Sequence, residues 1–143
     1  MPRRSGAAQW KGDLQSGGGE LSLSSGAFES TYSYASRFKD EGGPGTNPEE
    51  LLAAAHAACF SMALANSLSA AGHVPESVRT TATVHLDLVE GAPAIARIEL
   101  DCEAKVPGIG EEEFSRQAEQ TKVGCPVSKA LSAVPISLAA RLA

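Results

Sequence analysis

In the first part of the chain, apolar positions alternate over short stretches only, with Ala8 and Trp10 before the Gly17 to Gly19 cluster and Leu21 and Leu23 after it. A period of two on either side of glycine predicts hairpin strands within Ser5 to Ser33, at the edge of a sheet. From Ser36 to Asn47 the chain turns polar, and Gly42, Gly43, Pro44 and Gly45 predict a loop. Loops held by a rigid scaffold often carry binding residues.

A strong helix start follows. Thr46 or Asn47 suits the cap, Pro48 the first helical position, and Glu49 with Glu50 places negative charge against the first-turn amides. Helix formers continue through Leu51, Ala55, Cys59, Met62 and Leu68 to Gly72, which predicts an element of about 24 residues and roughly 36 Å. Its middle, Leu51 to Leu64, is apolar on nearly every face, so it must be covered all round. A lone small domain can hardly supply that cover.

Clean alternation then returns. Ala82, Val84, Leu86 and Leu88 share one face against Thr81, Thr83, His85 and Asp87. After a turn at Gly91 to Pro93, Ile98, Leu100, Cys102 and Ala104 oppose Arg97, Glu99, Asp101, Glu103 and Lys105. These runs predict an antiparallel hairpin with one wet face. A second helix starts at Glu111 to Glu113, carries Lys122 in its last turn and stops at Gly124; Cys125-Pro126 opens a short third one that runs through Leu131. Val134, Ile136, Leu138 and Ala140 alternate with Ser137 and Arg141 at the end. Strand runs bracketing helices, without a repeated strand-helix unit, predict an α+β fold.

Length and composition narrow the function. A chain of 143 residues, 43% apolar and 20% charged, fits one folded domain over residues 1–143. Seventeen acidic against twelve basic residues give a net charge of −5, which argues against nucleic acid or an anionic membrane as partner. The start, Met-Pro-Arg-Arg-Ser-Gly, leads into polar sequence rather than an apolar signal core, and the run Leu51 to Ala65 is short for a bilayer, so a cytoplasmic location is expected. Three widely spaced cysteines fit neither a secreted disulfide scaffold nor a zinc ribbon.

Those cysteines differ in setting. Cys102 lies on the apolar face of a strand and reads as buried filler. Cys125, between a helix-ending Gly124 and Pro126, places its sulfur at a helix N-terminus, where partial positive charge favours thiolate; a turn-capping structural role is the alternative. Cys59 lies about ten residues inside the long helix, beyond its terminal dipole, and needs a cation to be reactive. Arg37 is the preferred candidate over Lys39, Arg79 and Arg97, because Glu49 can orient its planar fork. His56 is one turn before Cys59 and reads as a base, a metal ligand or a hydrogen-bonded core residue. No CxxC, HxxxH, P-loop, GxGxxG or GxSxG motif is present, so neither a metal nor a bound cofactor is expected.

The run Gly45-Thr46-Asn47-Pro48-Glu49-Glu50-Leu51-Leu52-Ala53-Ala54-Ala55-His56-Ala57-Ala58-Cys59-Phe60-Ser61, together with Gly124-Cys125-Pro126-Val127-Ser128, closely resembles the osmotically inducible protein C / organic hydroperoxide resistance (OsmC/Ohr) family. Trp10-Lys11-Gly12-Asp13, Ser36-Arg37-Phe38 and Val106-Pro107-Gly108-Ile109 extend the likeness over essentially the whole chain, and His56-Ala57-Ala58-Cys59 is closer to the osmotically inducible branch. The resemblance implies antiparallel sheets packed on a long central helix in an intertwined homodimer, and a thiol peroxidase of the osmotic and oxidative stress response. By that likeness Cys59 is the peroxidatic cysteine and Cys125 the resolving one, with Arg37 and Glu49 as the activating pair. Cys59 thiolate would attack an organic hydroperoxide, release the alcohol and become sulfenic acid; Cys125 would close a disulfide, which an external dithiol, lipoyl-type by resemblance, would reduce.

Helix geometry supports a two-chain site. Glu49 and Cys59 are about 15 Å apart along one helix axis, so a second subunit is expected to deliver the arginine. Leu52, Phe60 and Met62 are the expected slot for the alkyl group. Two further readings stay open: a dimeric binding module for a hydrophobic small molecule, and a redox sensor.

Overall fold

The short strands at the start of the chain pair where the glycines allow a turn. In a computed structural model that describes residues 1–143, β1 (Gly6–Lys11), β2 (Gly18–Leu23) and β3 (Glu29–Tyr32) form an antiparallel meander in that order. It opens the first of two compact units, Met1–Leu51 and Leu52–Ala143. Trp10 faces Gly19 across the β1–β2 ladder, with its ring 5.4 Å from that of Tyr32.

The expected loop from Ser36 begins as a helix instead. A single turn, α1 (Tyr34–Phe38), forms because Ser33 and Ser36 make a reciprocal capping box that satisfies two amides at its start. Ser36 Oγ also donates to the Thr46 carbonyl at 2.8 Å, and Asn47 Nδ2 donates to the Ser36 carbonyl at 2.9 Å. These bonds tie α1 to the start of the long helix. Gly45 lies between them at φ +97°, packed so closely on the Thr31 backbone that a Cβ would collide with it.

The long helix, α2 (Pro48–Ala70), begins where its caps predict: Asn47 Oδ1 accepts from the Glu50 amide at 2.8 Å. It ends at Gly72, whose φ of +90° turns the chain and lets the His73 amide reach the Leu68 carbonyl. By length and composition α2 is apolar enough to cross a membrane, yet it contributes Phe60, Leu64 and Leu68, three fully buried side chains at i, i+4 and i+8, to the core of the second unit. Each such residue stabilises the fold by about 1.5–3 kcal/mol.

β4 (Ser77–Val89) and β5 (Ala92–Lys105) form the expected antiparallel hairpin, with Glu90 and Gly91 both at positive φ in a two-residue turn. The register shifts between His85 and Leu86, where Ala96 of β5 is the extra residue; Leu88, expected on the inner face, lies at the turn end of the hairpin and is exposed. Ile98, Leu100, Cys102 and Ala104 all point into the core. The helices α3 (Glu111–Gly124) and α4 (Pro126–Ala130) follow, and β6 (Ile136–Leu142) pairs with β5 in parallel, which makes the second sheet mixed. Phe114 and Ala118 of α3 complete the core cluster. The architecture is α+β, two three-stranded sheets with one long helix.

Candidate functional site

Within the first unit, the links between α1 and α2 set Arg37 beside Glu49. The guanidinium grips the carboxylate as a fork, with Nε 3.2 and 3.3 Å from the two oxygens and Nη2 2.8 Å from Oε1. The Glu49 side chain is 8% exposed and that of Arg37 38%, so the carboxylate is fixed while the cation keeps an open side. The guanidinium carbon also lies 5.2 Å from the centre of the Phe38 ring. Lys39, the other candidate on this segment, is exposed at the end of α1, and Glu49 pairs with Arg37 instead.

Within the second unit, two of the three thiols converge. Cys125 caps the N-terminus of α4; its sulfur accepts from the Ser128 amide at 3.4 Å, and the side chain is 1% exposed. Cys59, half-buried on α2, is close enough to Cys125 and to the Val127 amide for both to act on its thiol. Its thiol pKa is raised, chiefly by burial and further by Cys125, against a smaller lowering from the Val127 amide. No cation of its own unit is among these influences. Cys102, 0% exposed, has its thiol pKa pushed up by burial, as its strand position predicts.

His56 and Ser128 are the residues that sequence reasoning left without a role or missed. His56 is fully buried; its Nε2 lies 2.7 Å from Ser128 Oγ, and Ser128 Oγ accepts from Cys125 Sγ at 3.1 Å. The available signal was helical spacing: His56 is one turn before Cys59, and Ser128 one turn after Cys125. His56 Nδ1 is buried without a partner, an arrangement that costs about 1–3 kcal/mol.

Burial also pushes the His56 pKa below its ordinary 6.5, so the folded protein holds it neutral. As pH falls below about 6.5 the unfolded chain takes up a proton that the folded one refuses, and stability drops. The urea midpoint is therefore expected to fall between pH 7.5 and 5.5 in wild type and to fall less in His56→Gln. Equal declines in the two proteins would contradict this origin.

Phe60, expected in an alkyl slot, is wholly buried in the core and lines no open surface; Met62, one turn from Ala58, is 76% exposed. The slot as drawn from sequence therefore loses its aromatic wall.

A family model described as OsmC-like protein matches residues 39–139. Over 131 residues the chain is 48% identical to Peroxiredoxin OsmC of Escherichia coli (strain K12), covering 91% of this chain and 90% of that one. The chain belongs to the OsmC-like family. Within it, that identity supports the OsmC branch, in keeping with the wording around His56 and Cys59. Solved structures agree in fold: the OsmC like protein from Mycoplasma pneumoniae superposes with a TM-score of 0.73 at 18% identity, covering 99% of this chain and 97% of that chain. An organic hydroperoxide resistance protein from Elizabethkingia anophelis gives a TM-score of 0.68 at 26% identity, with 96% of each chain covered.

Proposed function

We propose that this OsmC-like protein is a cysteine-based peroxidase that reduces organic hydroperoxides, with Cys59 as the peroxidatic and Cys125 as the resolving cysteine. The observation that carries the reading is the convergence of the two thiols with the N-terminus of α4, where Cys59 lies beside both Cys125 Sγ and the Val127 amide. The 48% identity to a protein named Peroxiredoxin OsmC supports it.

Left to its own unit, Cys59 stays protonated, because burial dominates its pKa. The cation that ionises it is Arg37 of the partner subunit in a two-fold homodimer, aimed by Glu49. The long helix supports such a dimer: only 22% of its most apolar 18-residue window is buried within the chain, and an exposed apolar stretch of that length calls for a cover. The guanidinium stabilises the thiolate and then the alkoxide that leaves as the O–O bond breaks. Cys59 becomes sulfenic acid, Cys125 displaces its oxygen as water to close the disulfide, and an external dithiol of the lipoyl type restores both thiols. The whole chain acts as one OsmC/Ohr-like domain, in the cytoplasm and in the oxidative stress response.

The test is an intact-mass measurement on reduced protein after one equivalent of cumene hydroperoxide. The expected result is a loss of about two hydrogens, with a peptide map joining Cys59 to Cys125. An unchanged mass, or a bridge through Cys102, overturns the reading.

A further inference from the structure

The buried line Cys125 Sγ, Ser128 Oγ, His56 Nε2 does more than fill the core. Ser128 has one hydroxyl hydrogen and accepts from Cys125 at 3.1 Å, so that hydrogen points to His56 Nε2 at 2.7 Å. Nε2 is then the bare nitrogen and Nδ1 bears the ring hydrogen, without a partner. A histidine kept for packing alone would have both nitrogens bonded. Here Nδ1 is left without a partner while Nε2 is aimed, through a single hydroxyl, at a thiol.

We propose that Ser128 and His56 form a proton relay that serves the resolving step, with Ser128 as a catalytic residue in contact with Cys125 and His56 as the positioning residue that acts through it. The proposal rests on Cys59 forming a sulfenic acid, as argued above. When Cys125 attacks, its S–H proton passes to Ser128 Oγ while the Ser128 proton passes to His56 Nε2. The Cys125 electron pair forms the S–S bond, and the Cys59 S–O bond breaks with its pair on the oxygen. The departing hydroxide takes the proton back over Ser128 and leaves as water. One Cys125 thiol and one Cys59 sulfenic acid thus give one disulfide and one water, with no other oxidant. Burial keeps His56 neutral at rest, hence free to accept, and makes its protonated form a ready donor.

Quenched-flow reaction of the full-length reduced protein with one equivalent of cumene hydroperoxide separates the two steps. Dimedone adducts at Cys59 report sulfenic acid, and mass analysis reports disulfide closure. Sulfenic acid is expected to form in wild type, Ser128→Ala and His56→Gln alike, with closure about a hundredfold slower in both variants. Glutamine keeps a hydrogen bond to Ser128 but takes up no proton, so its slow closure marks proton transfer rather than packing. Ser128→Thr restores closure to within a few-fold, whereas the isosteric Ser128→Val does not, a pair that decides the matter should Ser128→Ala fold poorly. Closure at the wild-type rate in His56→Gln, or in Ser128→Val, overturns the relay. Absence of a Cys59 sulfenic acid in wild type instead removes the peroxidase reading, and the relay falls with it.

Discussion

Replacement of Cys59 by serine is expected to reduce organic hydroperoxide turnover in a dithiol-driven assay to below about a thousandth of wild type, because the hydroxyl is neither ionised nor nucleophilic enough to attack a peroxide oxygen. The fold should be intact, since Cys59 is only half-buried and serine is smaller. Cys125→Ser acts on the other half of the cycle. A first sulfenic acid still forms, but with no partner thiol it proceeds to sulfinic acid under excess peroxide, seen as a gain of one further oxygen in the intact mass. Undiminished turnover in Cys59→Ser removes the proposed chemistry altogether.

The second large effect concerns Arg37. Loss of its charge in Arg37→Ala is expected to lower kcat/KM for cumene hydroperoxide by about 10²–10³-fold, the usual loss when a preorganised charge stabiliser is deleted. Glu49→Gln should cost about tenfold, since the cation persists with its aim loosened. If Glu49 acts through Arg37, the double variant should be no less active than Arg37→Ala alone, a non-additive pattern expected of one functional unit. The proposed dimer offers a sharper readout. If Arg37 of one subunit serves Cys59 of the other, Arg37→Ala co-expressed with Cys59→Ser yields mixed dimers with one complete site, and about a quarter of wild-type activity returns from two inactive parents. No recovery would place the arginine and the thiol of a working site on the same chain.

Much of this arrangement is legible in the residues because local chemistry decides it. Asn47, Pro48 and Gly72 set the ends of the long helix, Gly124 and Pro126 separate α3 from α4, and alternation at Ile98 to Ala104 marks the buried face of β5. The preference for Arg37 over Lys39 follows from the fork geometry that only arginine offers to Glu49. What was hidden depends on partners remote in sequence or on single local events. α1 is five residues held by one capping box, too short for any periodic signal. The bulge at Ala96 and the exposure of Leu88 leave no mark in the pattern, and alternation in β6 does not say that its neighbour runs parallel. Phe60 and Met62 sit two residues apart on a helix apolar all round, so the sequence does not tell which is core and which is surface. Ser128 and His56 are 72 positions apart, and only the folded second unit joins them.

Sealing Cys102 inside the sheet has a chemical corollary. Three thiols allow three intramolecular pairings, and two of them require Cys102; with that sulfur at 0% exposure and held in its neutral form by burial, both wrong pairings are closed off. Oxidation is therefore left one outlet, and in the proposed cycle, where one bond is broken and remade many times, the placement of a residue that takes no part guards against miswiring.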